Sequence, residues 1–180
     1  EIMKKQVSSK YRSNKRGSVV AELPLVLWVF FMVIALPLLN LGAAFIRITF
    51  LSAGVHLASI SAARANTFLL PIDGKPSATN EAIAKLNQMK GAFSGVEVRN
   101  VRTEILITNV DTLAASTSAL PLSKPADASV NTYQIVVTAQ CEGQPLLPLP
   151  TPMPIAGVSA PLTFNLSARQ YCENPQGLTL

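Results

Sequence analysis

Hydrophobic and polar positions divide this chain into stretches of different period. From Leu23 to Leu39 every residue is apolar, and Asn40 is the one strongly polar residue between Leu23 and Ile46. A helix lying on a soluble core normally shows a polar stripe, and this run has none. Its span of residues 23–46 would make a helix of about 36 Å, enough to cross a hydrocarbon core of about 30 Å with some tilt. Pro24 and Pro37 are compatible with a kinked membrane helix. Beyond the span, Phe45, Ile46, Phe50, Ala53, Leu57 and Ile60 recur at three- and four-residue spacing with no proline among them, so the helix is expected to run on to about residue 65. This second half is rich in small residues, including Ala43, Ala44, Ser52, Ala53, Gly54, Ala58 and Ser59, which suits close packing between subunits or docking on the chain's own domain.

After the helix the period changes. Phe68 to Pro76 reads as a turn, with Asp73-Gly74 between two prolines. A short helix is expected from about Thr79 to Lys90, capped by Thr79 or Ser77 and ended by Gly91, with Ala82, Leu86 and Met89 on its apolar face. The remainder alternates as strands do. Residues 95–102 and 104–110 are expected to form two strands or one with a bulge. Tyr133, Ile135, Val137, Ala139 and Cys141 fall on one face of another strand, and Leu162, Phe164, Leu166 and Ala168 on one face of the last. Residues 111–131, rich in Ala, Ser, Thr and Pro, read as a mobile surface loop.

Between the last two strands, residues 144–161 carry six prolines with apolar residues between them. Proline fixes φ and removes a donor, so an extended or polyproline-like loop is expected. Two readings stand: a rigid connector folded over the sheet, or an exposed apolar loop that touches a membrane or another subunit. The order of elements gives an α+β fold, a long hydrophobic N-terminal helix followed by a small helix-on-antiparallel-sheet domain. The chain divides as a basic leader at 1–17, the long helix at 18–66 and an exported domain at 67–180.

Charge sets the topology. Lys4, Lys5, Lys10, Arg12, Lys15 and Arg16 precede the span against the single acid Glu1, and the next cations are Arg47 and Arg64. Lys and Arg concentrate on the cytoplasmic side, so the N-terminus is expected in the cytoplasm and the residues after about 47 outside it. Setting those six cations and Glu1 aside from the fifteen basic and ten acidic residues leaves nine of each. The net charge of +5 is thus a topology signal, and nucleic-acid binding is not expected, for want of a basic patch with interleaved aromatics.

No chemistry of catalysis is legible. One His and two Cys do not build a common zinc site, and no phosphate loop, nucleophile elbow or zincin motif occurs. His56 stands alone and reads as partly buried or interfacial. The chain is expected to be non-enzymatic and to need no cofactor or metal. In an oxidising compartment a disulfide between Cys141 and Cys172 is expected. In a simple antiparallel hairpin the two would lie roughly 30 Å apart, so the bond requires parallel strands or a chain that turns back before Cys172.

Glu22 is the remaining candidate. A carboxylate one position before a span is costly to bury, and it is either a functional group or a bystander at headgroup depth. Its context is Lys15-Arg16-Gly17-Ser18-Val19-Val20-Ala21-Glu22, followed directly by the apolar helix. That string resembles the class III signal of type IV pilins and pseudopilins, cut by a prepilin peptidase after the glycine. Counted from Ser18, Glu22 is the fifth residue, where those families carry their glutamate. The chain resembles most the TadE-like branch of the tight-adherence (Tad) pseudopilins, clearly over leader and helix and more loosely beyond. It departs from the pattern at Leu23 and Ser18, where aromatic residues are usual.

The resemblance implies cleavage between Gly17 and Ser18 and a role for Glu22 in assembly, with the new amine of a neighbouring subunit as its counterpart. It also implies other pilin subunits, the prepilin peptidase and the inner membrane as partners. The alternative is an exported binding protein with a cleaved secretory signal ending near Gly42-Ala43-Ala44. The apolar run is long for that, and the helical period continues past the cut.

Overall fold

The computed structural model describes the backbone of residues 16–180 and the side chains from Glu22 onward. Helix α1 (Arg16–Phe30), a π-helical segment (Phe31–Ala35) and helix α2 (Leu36–Ala63) follow one another without a break. The π segment stands just before Pro37. Pro37 has no N–H to return to the preceding turn, and just before it the Leu36 N–H donates to the Phe31 carbonyl, five residues back. The ladder widens by one residue and the helix continues past the proline.

The chain divides into two compact units, up to Leu38 and from Leu39 onward. In the first, every residue from Glu22 to Ile34 is exposed on all sides of the helix, although all but Glu22 are apolar. One helix, Glu22–Ala63, is long and apolar enough to cross a membrane among the described residues.

The second unit is the α+β domain, and α2 belongs to its core. Asn40, Ala44, Ile48, Leu51, Val55, Ala58 and Ala62 bury along one face at three- and four-residue spacing. Helix α3 (Ala78–Ala92) buries Ala78, Ala82 and Leu86, and Ser77 caps it by accepting from the Asn80 N–H. Both helices cover a four-stranded antiparallel sheet of order β2-β1-β3-β4, made of β1 (Val96–Asn109), β2 (Ala115–Ser118), β3 (Asn131–Gly143) and β4 (Leu162–Tyr171). The β3 face expected from the alternation is the core: Tyr133, Ile135, Val137, Ala139 and Cys141 are all buried. On β4 the inward residues Leu162, Phe164, Leu166 and Ala168 are half-buried, as befits an edge strand.

The first β region is one strand with a bulge. Arg99 pairs with Gln140 and Arg102 with Thr138, so β1 carries one extra residue, and Asn100 there takes φ 51°. Residues 111–131 differ from expectation. They contain β2, paired with β1 from Ile105–Ser118 to Thr108–Ala115, and they bury Ala126. The chain then closes through a 3₁₀ turn (Pro175–Thr179), which accepts the Leu122 N–H at Leu178 O (2.8 Å). The Phe68 and Leu69 N–H groups likewise donate to Leu180 O at 2.9 and 2.8 Å.

The small residues of α2 serve this domain. Gly54, Ala58, Ser59, Ala62 and Ala63 are buried in it, whereas Ser52 and Ala53 face outward. A Cβ on Gly54 would lie 3.3 Å from Met89 Cγ, which measures how closely α3 approaches α2. His56 is exposed, not partly buried.

Candidate membrane anchor and assembly segment

The residues singled out by the sequence fall on three separate elements. Gly17 and Ser18 lie in the first turn of α1, and the leader up to Lys15 lies outside the described residues. Glu22 is exposed and begins the apolar run, one turn after Ser18. Gly17, Ser18 and Glu22 share α1, whereas Cys141 lies on β3 and Cys172 directly follows β4.

The Cys141–Cys172 disulfide is not formed, and both thiols are free. The reason is strand register. Strands β3 and β4 pair antiparallel from Gln134–Tyr171 to Gly143–Leu162, and the Cys172 N–H donates to Tyr133 O at 3.0 Å. Cys172 therefore sits beside Tyr133, eight residues and about 26 Å along β3 from Cys141. Neither of the two arrangements that would permit the bond occurs. Burial raises both thiol pKa values, that of Cys141 to about 11, so neither is an activated nucleophile.

Sequence reasoning missed the residue that ties the proline-rich loop to α2. Asn40 is 1% exposed although it sits in the apolar run. Its Nδ2 donates to Leu147 O (2.5 Å) and Val158 O (3.2 Å), and its Oδ1 accepts from the Leu147 N–H at 2.9 Å. All three partners belong to the proline-rich loop of residues 144–161. Two turns of helix further on, Arg47 Nη1 donates to Gln144 O. Gly157, at φ 80°, lies against Leu41, where a Cβ would come within 3.2 Å of Cδ1. The signal was present in the sequence: Asn40 is the sole strongly polar residue of the run, and a polar side chain in a membrane helix needs a partner.

The loop is closed on itself rather than simply extended. Val158, Ser159 and Ala160 donate to Ile155 O at 2.9–3.1 Å, and the Gly157 N–H donates to Ala160 O. Thr151 Oγ1 donates to Ser159 Oγ at 2.7 Å. Next to the loop, the paired ends of β1 and β3 are charged. Arg99 pairs with Glu142 at 3.4 Å and Lys90 with Glu97 at 2.7 Å, and the Lys90 hydrogen bond holds the Glu97 carboxyl below its ordinary value.

The groove between α2 and α3, about 370 Å³, is lined by Leu57, Ile60, Arg64, Lys85, Gln88 and Met89. Among the described residues no three His, Cys, Asp or Glu side chains gather where they could hold a metal ion. Compared with family models, curated proteins and solved structures, the chain gives no significant match. The fold and the anchor therefore stand on the chain's own sequence and geometry.

Proposed function

We propose that this chain is a structural subunit of the TadE-like kind, a pseudopilin or minor pilin of a Tad-type pilus or related secretion or adhesion apparatus. The observation that carries the reading is the single helix from Glu22 to Ala63. Its first half is exposed and apolar on every side, its second half is the spine of a small α+β domain, and Gly17, Ser18 and Glu22 stand at its head. A subunit stored in a membrane and then withdrawn into a fibre needs those parts: a lipid-compatible helix that can exchange lipid for neighbouring helices, and a folded domain fixed to its end.

In this account the N-terminus is cytoplasmic and the domain exported, as the basic leader directs. A prepilin peptidase cuts between Gly17 and Ser18. The new amine lies one helical turn from Glu22, close to a low-dielectric region where an unpaired carboxylate is costly and a paired one is far less so. The amine of one subunit neutralises Glu22 of the next and sets their axial register. Other subunits of the assembly, the peptidase and the inner membrane are the partners. The protein performs no reaction of its own and takes no cofactor.

Geometry weighs against the secretory-signal alternative. A cut after Ala44 would remove Asn40 and with it all three hydrogen bonds that tie the proline-rich loop to α2. The test is Glu22→Ala in cells that carry the assembly machinery. The variant should be processed and inserted like the wild type, yet be excluded from the fibre or cross-link poorly to its neighbours. Wild-type incorporation would reduce Glu22 to a headgroup-level bystander and remove the register mechanism.

A further inference from the structure

Seventeen residues, Leu23 to Leu39, separate Glu22 from Asn40, about 26 Å of helix at 1.5 Å per residue. With Leu23 at the inner edge of a hydrocarbon core of about 30 Å, Asn40 falls just inside the outer edge, and tilt takes it deeper. The loop bonded to Asn40 must lie at the same depth, because Leu147 and Val158 are within hydrogen-bond distance of its side chain. We propose that the loop of residues 144–161 is a second membrane contact, seated beside the helix at the boundary between acyl chains and headgroups, with the lipid surface itself as its occupant.

Three independent features fit that environment. The loop contains no Asp, Glu, Lys or Arg. It exposes Leu146, Leu147, Met153 and Ile155 by 50–70%. Most of its backbone N–H groups are also absent or met within the protein. Six of its eighteen residues are prolines without an N–H, and of the other twelve N–H groups, those of residues 144, 147, 149, 155, 157, 158, 159 and 160 are hydrogen-bonded. Lipid-exposed irregular backbone is excluded from the hydrocarbon itself, which places the loop at the headgroup boundary, where water meets its remaining N–H and carbonyl groups. Asn40 fits the same logic: its amide is shielded by the loop instead of facing lipid. Arg47 then lies about 10 Å further along the helix, where its guanidinium reaches the headgroup layer.

The proposal rests on the span crossing a membrane and is independent of any role in a fibre. Trp28, the only tryptophan, reports on the span. The full chain is placed at one copy per lipid nanodisc, with lipids brominated along the acyl chain, and tryptophan fluorescence is read for the wild type and for two variants in a Trp28→Phe background. In Met153→Trp the indole sits on the exposed loop. In Leu113→Trp it sits on the turn beyond β1, about 43 Å of strand away from the end that faces the loop.

The expected result is a blue-shifted emission for Met153→Trp, quenched to an extent comparable with Trp28 by bromines near the headgroup end, and a water-like, unquenched emission for Leu113→Trp. If Trp28 is quenched while Met153→Trp is not, the loop faces water or awaits a second copy, and the proposal is overturned with the span intact. If Trp28 itself is unquenched, the span reading falls and the loop contact falls with it. Met153 is 70% exposed, so its replacement leaves the fold undisturbed.

Discussion

Replacing Asn40 by alanine should release the proline-rich loop from α2 without unfolding the domain. The side chain makes three hydrogen bonds to loop backbone, to Leu147 O, Val158 O and Leu147 N–H. Each contributes roughly 0.5–1.5 kcal/mol net, and a partner left buried without a substitute costs its full desolvation. The loop's remaining ties to the helix are Arg47 to Gln144 O and the packing of Gly157 on Leu41. Losing the Asn40 bonds should therefore lower the free energy of local opening by about 2–4 kcal/mol, or raise the opening equilibrium roughly 30- to 700-fold.

Hydrogen exchange read by mass spectrometry on the full chain in detergent checks this at Leu147, whose N–H is bonded to Asn40 Oδ1. Exchange there should accelerate by that factor, while β3 amides buried in the sheet change little. Asn40→Asp should be at least as severe, since a carboxylate keeps the acceptor but turns its second oxygen on two carbonyls. If Leu147 exchange in Asn40→Ala stays within a few-fold of wild type, Asn40 does not hold the loop and its burial is incidental.

Gly177→Ala should destabilise the domain by about 1–3 kcal/mol in thermal unfolding, because the new Cβ would lie 1.7 Å from Asn66 O, a backbone atom that cannot rotate away; an unchanged Tm would refute the close approach of the C-terminal turn to Asn66. Thiol titration of the denatured, non-reduced protein should count two thiols, with Cys141 unreactive in the native state. Cys141 keeps its proton to about pH 11 when folded, whereas the unfolded chain loses it near 9, so its contribution is intact below 9 and is lost as pH rises from 9 to 11. Cys141→Ala should weaken that decline measurably, leaving the smaller part due to Cys172, whose thiol pKa is also raised.

The elements that were legible are those whose own side chains dictate them. The unbroken apolar run, the Ser77 cap and the strict alternation of β3 needed no partner to be read. Strand β2 could not be read, because Ala-Ser-Thr-Ser has no apolar alternation, and it is a strand only because β1 offers it an edge. The cysteines misled for a similar reason. Each obeys the register of its own strand, yet which residues face each other across β3 and β4 is a non-local property of the pair. Asn40 lay between the two cases: its oddity was visible, while the loop that receives it lies more than a hundred residues away in sequence.

The account turns on where the mature chain begins. Intact-mass and N-terminal sequencing of the protein recovered from membranes should find Ser18 as the first residue, with Glu22 and the whole apolar helix retained. A mature protein that still carries residues 4–16 would leave a simple single-pass membrane protein, and one that begins near Phe45 would make the apolar run a discarded signal; either result contradicts the pseudopilin reading.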